Sequence, residues 1–467
     1  MKKTSSSAAR SRRADPARLF DYGQGDFEQL TQDVMRQALA LGGTAAASEV
    51  SESCGLSVTV RKGRVETIEQ TRDKGLGITV YVGTRRGHAS TSDFSPEALA
   101  RTVRAAYDIA CITGEDPFAG LPDADRLCRD GNAIARKLKL FDPWNVSVEE
   151  AIELAREIEQ ASFDVSPLVR NGDGASVSVD HGHFVAANTL GFSGGYPYSR
   201  HTISCSPIAK RGSQMQRDDW YASNRSAARL PDARAVGRYA AERALARLGA
   251  RKLSTRKVPV LYEAPLALGL LGSFVQATSG SALYRRTSFL VDSLGRQVFP
   301  DHVAIHEDPF IPGAMGSGPF DDEGVATAAR DVVRNGVVEG YFLSSYSARK
   351  LGMQTTGNAG GSHNLRLVSR LTRRGDDFAA MLRKLDTGLL LTEVMGQGVN
   401  YVTGDYSRGA SGFWVEDGVI QYPVEEITVA GNLADMFKSI VAVGADTISR
   451  GTKETGSILI ESMAVAG

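Results

Sequence analysis

One order of elements, helix then strands then helix, runs twice between Asp26 and Leu248, and no other feature restricts the fold of this chain as much. Phe27, Leu30, Val34, Ala38 and Leu41 keep helical spacing up to Gly42. Strand-like runs follow at 56–61, 64–70, 77–82 and 88–92. Ser95-Pro96-Glu97 then opens a second helix through Leu99, Val103 and Tyr107, with serine as N-cap and proline at the first position. After a proline-containing link over 121–143 the order returns. Ser147 and Glu150 form a capping box ahead of Ile152, Ala155 and Ile158, strands run over 175–206, and a last helix covers 232–248. Val58-Thr59-Val60-Arg61-Lys62-Gly63 matches Val177-Ser178-Val179-Asp180-His181-Gly182, and Leu76-Gly77-Ile78 matches Leu190-Gly191-Phe192. The expectation is an α+β protein with two related lobes, 24–120 and 144–250, each built on antiparallel strands.

From Lys257 the composition shifts and a β-rich domain is expected over 257–467. Val258 to Tyr262 reads as a short strand and 263–274 as a buried helix. Asn335-Gly336 marks a hairpin, Tyr346 begins a short helix, and 355–365 is a glycine-rich polar loop holding His363 and Asn364. The stretch 393–433 reads as a meander. Phe413-Trp414-Val415 and the runs 419–422 and 426–429 alternate in polarity, and Asp417-Gly418 is a hairpin signal. Ahead of them Gly396, Gly398, Gly404 and Gly409 interleave with Asn400, Tyr401, Asp405, Tyr406 and Arg408. Glycines permit close backbone approach, and polar aromatics supply flat amphipathic contact surface.

Lys+Arg and Asp+Glu are both 54 in 467 residues, which argues against a broad nucleic-acid or membrane surface while leaving room for a local basic patch. Cys54, Cys111, Cys128 and Cys205 show no CxxC pair, so reduced thiols in a cytoplasmic protein are expected. A basic tail over 1–23, with Lys2, Lys3, Arg10, Arg12, Arg13 and Arg18, carries no apolar signal region and reads as disordered. No phosphate-cradling or dinucleotide fingerprint occurs.

Two histidine groups are candidates for metal sites. His181 and His183 flank Gly182 at an apparent hairpin turn, with no carboxylate or thiol at ligand spacing, and read as exposed. His302 and His306 have the i,i+4 spacing of a helical site. However, Pro300 and Pro309 bracket them and the alternation is that of a strand, which would hold them roughly 13 Å apart.

The runs GQGVNYVTGDYSRGASGFWVE and PVEEITVAGNL, with the closing strand Met463-Ala464-Val465-Ala466-Gly467, resemble the C-terminal signature of the TldD/PmbA family, and its PmbA (TldE) branch in particular. The resemblance covers nearly everything after the tail. It implies one half of a TldD–TldE pair, a cytosolic zinc-dependent protease that trims peptides and unfolded segments. The family also carries a gyrase-modulator label, which this charge balance does not support. The TldD branch holds zinc with an HExxxH helix and a later cysteine. The matching positions here are Tyr262, Glu263 and Ala267, and no cysteine lies beyond Cys205, so 448–452 offers no thiolate. Only Glu263 matches the family glutamate.

The resemblance therefore implies no metal in this chain, with zinc supplied by a TldD-type partner. Tyr262, Glu263, His363, Asn364, Asn400, Tyr401, Asp405, Tyr406 and Arg408 become candidates for lining a peptide cleft, and the segment 396–414 for a dimer surface. An extended peptide would bind by adding a strand to an exposed edge. The rival readings are a stand-alone metallopeptidase with an unrecognised site and a homodimeric peptide-binding scaffold without catalysis.

Overall fold

The computed structural model describes residues 19–467, so 1–18 of the basic tail lie outside the described residues. Residues 19–23, expected to be disordered, are seated on the sheet, with Phe20 buried and the Asp21 and Tyr22 N–H groups donating to the Glu52 carboxylate. Helix α1 (Gln24–Ala40) buries Phe27, Val34, Met35 and Ala38, and the Asp26 carboxylate closes its first turn by accepting from the Gly23 N–H at 2.7 Å. Helix α2 (Pro96–Ile112) starts at Ser95, whose hydroxyl accepts from the Ala98 N–H. A short α3 (Gly131–Leu138) occupies the proline-containing link, where no helix was expected. Helix α4 (Val148–Phe163) has the reciprocal Ser147–Glu150 capping box, and α5 (Ala233–Ala246) is capped by Asp232.

Between these helices lie β1 (Ala45–Arg61), β2 (Arg64–Val82), β3 (Arg85–Thr91), β4 (Val169–Asn188), β5 (Ser193–Gly194), β6 (Pro197–Arg211), β7 (Gln214–Arg217) and β8 (Trp220–Asn224). They make one antiparallel sheet in the order β3-β2-β1-β4-β6-β7, with β5 on β4 and β8 on β6. The expected four strands of the first half are three, because 64–70 and 77–82 join into β2. The central pair, β1 with β4, brings the two halves together, Val58 opposite Val177. Element order recurs as expected, but the residue matches do not. Lys62-Gly63 is a left-handed turn at φ of 52° and 70°, whereas His181-Gly182 is mid-strand. Gly182 is there because the Tyr198 ring lies 2.5 Å from where a Cβ would sit.

The C-terminal region comprises β9 (Arg256–Tyr262), α6 (Ala264–Ala277), α7 (Gly280–Tyr284), β10 (Val303–Glu307), β11 (Arg330–Arg334), β12 (Val337–Val338), α8 (Ser345–Leu351), β13 (Leu365–Ser369), α9 (Phe378–Leu385) and β14 (Gly388–Met395). Then come β15 (Asp405–Glu416), β16 (Val419–Asn432), α10 (Leu433–Lys438), β17 (Ile440–Val443), β18 (Ile448–Arg450), β19 (Lys453–Thr455) and β20 (Ile458–Ala466). Strands β16-β15-β14-β9-β20 run side by side, and pairing of Thr428 with Ala466 closes them into a five-stranded barrel. The expected meander is a long hairpin, since 419–422 and 426–429 are one strand, β16, turned at Asp417-Gly418. A second sheet has the order β12-β11-β10-β13-β19-β18. One apolar core joins it to the barrel through α6, where Phe274 meets Phe299 with ring centroids 5.3 Å apart.

The N-terminal sheet is clamped to this region through the link. Leu127 bridges Val325, the Cys128 N–H donates to Gly324 O at 2.9 Å, and the Tyr346 hydroxyl donates to Asp116 Oδ2 at 2.7 Å. All four cysteines are free thiols. Among the described residues no helix is long and apolar enough to cross a membrane.

Candidate functional site

Strand alternation sorts the N-terminal sheet into two faces. Val50, Leu76, Ile78, Val80, Val185 and Ala187 point to α1 and α2, and Val58, Val177, Ile203 and Cys205 pack with α4 and α5. The other face carries Glu49, Ser51, Thr79, Tyr81, His88, Tyr198 and Arg200, and loops of the C-terminal region arch over it. Three cavities of about 530, 400 and 610 Å³ share walls along this face and make one groove. The first two meet at Glu49, Ser51 and Asp322, and the last two at Met315 and Thr452. Arg225 fixes its geometry: 8% exposed, it donates to Ala314 O, Met315 O, Leu140 O and Ser199 O, tying the roof to the sheet.

The groove is electrically polarised. At one end Glu49, Asp321, Asp322 and Glu323 gather. Burial, and then the charge of Asp322, raises the carboxyl of Glu49 above its usual range. Burial pushes Asp321 up to about 7, although its carboxylate accepts from the N–H groups of Ala359, Glu323 and Val325. At the other end stand Arg200, Arg229, Arg366, Arg450 and Lys453 beside Trp220 and Tyr221.

The candidate residues divide among three places. His363 and Asn364 line the groove, and both also serve its scaffold. His363 Nε2 donates to Gly357 O at 2.8 Å, and the Asn364 amide donates to Asp308 O and Ser317 Oγ while accepting from the Gly316 N–H. Asn400, Tyr401, Asp405 and Arg408 sit on a separate flank of the barrel and line none of the three cavities. There Tyr401 packs on the core, its C=O accepts from the Phe289 N–H, and Arg408 Nε donates to Met395 O. Tyr406 and Tyr262 are inside the barrel, at 5% and 1% exposure.

Glu263 begins α6 and faces the N-terminal half, where Arg243 Nη1 and Nη2 hold both its oxygens at 2.6 and 3.1 Å. Asp218, Arg247 and Glu393 extend this into a half-buried ionic chain between α5 and the barrel. The residues at the positions that the TldD resemblance assigns to a zinc site do not fit the ion. A buried phenol whose hydroxyl points at Met463, a carboxylate held by Arg243 and the Ala267 methyl supply neither an imidazole nor a thiolate to hold it. The hairpin β18–β19, where the thiolate would be sought, packs on α6 further along, a Cβ at Gly272 lying 3.8 Å from Lys453 Cε.

Two of the four histidines, His181 and His183, are placed otherwise than expected, whereas His306 lies on a strand as the alternation implied. His181 and His183 are buried in mid-strand at the seam between the two helix pairs. His183 lies 4.5 Å from the Phe27 ring centroid and 3.4 Å from Glu52, and His181 accepts from the Trp144 N–H. Turn-like Gly182 misled because the glycine serves Tyr198. His302 is buried against Ser369 Oγ and Ile440 O while His306 is exposed beside Asp331, so the two share no face. The sequence reading missed Glu49, Arg225, Asp322, Arg450 and Lys453. They come from four segments distant in sequence, and only the sheet and roof assemble them.

Comparison with known proteins matches the PmbA/TldA metallopeptidase C-terminal domain to residues 255–467, the central domain to 141–248 and domain 1 to 49–110. Metalloprotease PmbA of Escherichia coli O157:H7 is 47% identical over 418 residues, covering 90% of this chain and 91% of that protein. A PmbA homolog from Haemophilus influenzae is 44% identical over 425 residues, 91% of this chain and 93% of that one. A Bacteroides thetaiotaomicron crystal structure, described as a candidate modulator of DNA gyrase, superposes with a TM-score of 0.87 at 26% identity, covering 94% and 98%. TldE from Thermococcus kodakarensis shares the fold, with a TM-score of 0.81 at 19% identity, covering 94% and 100%.

Proposed function

Because the chain belongs to the PmbA/TldD metallopeptidase family, we propose that it is a PmbA/TldE-type, non-catalytic subunit of a cytosolic heterodimeric zinc metalloprotease. It shapes the cleft in which a TldD-type partner, carrying zinc and the catalytic glutamate, cleaves peptides or unfolded segments. The observation that carries this reading is the clamp of Arg243 on both oxygens of Glu263, which commits that carboxylate to an ion pair between the two regions, whereas a general base must stand within reach of the water it activates. The groove supports the peptide part of the reading. Among the described residues, strands β8 and β18 each have one unpaired edge beside the same cavity, and an extended peptide pairs with such edges. The flank with Tyr401 and Arg408 is the proposed partner surface.

The test is zinc content and peptidase activity of the purified chain, alone and with a TldD-type subunit. Activity should require the pair. One equivalent of zinc retained through dialysis, with chelator-sensitive cleavage by the chain alone, would sink the proposal. On the flank, Tyr401→Ala and Arg408→Ala should leave the fold intact and lower turnover by the pair, with interface anchors of this type costing about 2 kcal/mol. Full pairing and full turnover in both variants would remove the flank from the interface.

A further inference from the structure

The basic end of the groove has a composition that the formal charge balance of the chain conceals. Five cations line one cavity of about 610 Å³. Among the described residues only Arg366 has a carboxylate partner, Glu454 at 2.7 Å. Arg200 is held by Ser223 Oγ through its Nε, and Arg229, Arg450 and Lys453 make no ion pair among the described residues. The Arg450 guanidinium spans the cavity from β18 to β8, lying 4.6 and 4.1 Å from the ring centroids of Trp220 and Tyr221. Its Nε is buried without an acceptor. A buried donor without an acceptor is costly, and the cations around it, with Arg200, Arg229 and Arg366 exposed and Arg450 and Lys453 half-buried, would gain charge-assisted hydrogen bonds from an anion in the cavity.

We propose that the cavity between β8 and β18 is a carboxylate-binding subsite, which takes the terminal or acidic side-chain carboxylate of an extended peptide lying along the groove. The inference rests on the peptide-cleft reading above and adds polarity to it. Planar guanidinium groups match a carboxylate in two parallel hydrogen bonds. The free edges of β8 and β18 offer main-chain pairing beside the charges. Glu49, Asp322 and Glu323 at the far end repel a second carboxylate and attract a peptide amine or basic side chain, so one direction of the chain is favoured. Nucleic acid fits less well, because the aromatic faces that would stack bases are covered by Arg450. Burial also lowers the pKa of Lys453, as an ammonium without a counter-charge requires.

The experiment is fluorescence anisotropy on the full chain with an N-terminally labelled octapeptide of Ala, Ser and Thr, carrying either a free C-terminal carboxylate or an amide. A third and a fourth peptide, both amidated, carry one internal Glu or Gln. The carboxylate-bearing member of a pair should bind about ten-fold more tightly. The terminal pair and the Glu/Gln pair separate the two sources. In Arg450→Gln, and independently in Lys453→Gln, the difference should collapse while the melting temperature holds. Equal binding of all four peptides to the wild-type chain would overturn the carboxylate subsite and leave the cleft. Binding of none would overturn the cleft reading itself. A dT oligomer that binds the wild-type chain and not Arg450→Gln would overturn the peptide assignment in favour of nucleic acid.

Discussion

The N-terminal sheet and the C-terminal barrel are both antiparallel for most of their length, yet they treat their second face in opposite ways. The sheet leaves its second face polar, and that face becomes the groove floor. The barrel curls until β16 pairs with β20, which turns its inner face into a closed core of Tyr262, Leu391, Trp414 and Met463. Closure removes edges and accessible surface together. The difference teaches where function can reside. Tyr262 and Tyr406 have the chemistry of cleft residues, but closure takes them out of reach, whereas an ordinary sheet face under a few loops becomes a polarised channel.

The largest expected effect tests the barrel side. Phe274→Ala, at the contact of α6 with Phe299 and Phe437, should cost about 3–5 kcal/mol in urea unfolding. Ser51→Ala on the groove floor should stay within about 0.5 kcal/mol. Similar costs at the two places would break the contrast.

Next comes the junction between the two regions. Glu263→Gln leaves Arg243 with Asp218 alone in a site where the side chains are 11–13% exposed, and should cost about 3 kcal/mol. A double-mutant cycle with Arg243→Met measures the coupling; additive effects would show that the pair does not join the regions.

The smallest effect belongs to the buried seam of the sheet. Burial, and then the charge of His201, lowers the pKa of His181 from 6.5 to about 4. Burial also lowers His183 and His201. With the folded pKa depressed, the stability contributed by neutral His181 is fully present above about 6.5 and is lost as pH falls through about 4. The loss from pH 7 to pH 5 should be about 2 kcal/mol for this residue, and His181→Phe should flatten that part of the curve. An unchanged curve in the variant would assign acid sensitivity elsewhere.

Local signals in the chain survive into the fold. Ser95, Ser147 and Asp232 cap the helices they precede, and Asn335-Gly336 and Asp417-Gly418 turn the hairpins expected of them. These depend on residues a few positions apart. The seam histidines did not read true, because Gly182 answers to Tyr198 on another strand. Of the residues that line the groove, the candidates from the sequence include only His363 and Asn364, and the family resemblance of their loop, not its composition, put them forward.

By itself the sequence determined the class of the protein: α+β elements in order, a family resemblance carried by long runs, and the side chains Tyr262, Glu263 and Ala267 at the positions which that resemblance assigns to a zinc site. Only the tertiary structure decided that Glu263 is bound by Arg243 across a domain junction, that the barrel closes over Tyr406, and that five cations from β6, β8's following loop, β13, β18 and β19 share one cavity. The reason is range. Capping and turn preferences act over one helical turn or hairpin, whereas a groove's charge is the sum of single residues brought together from distant segments.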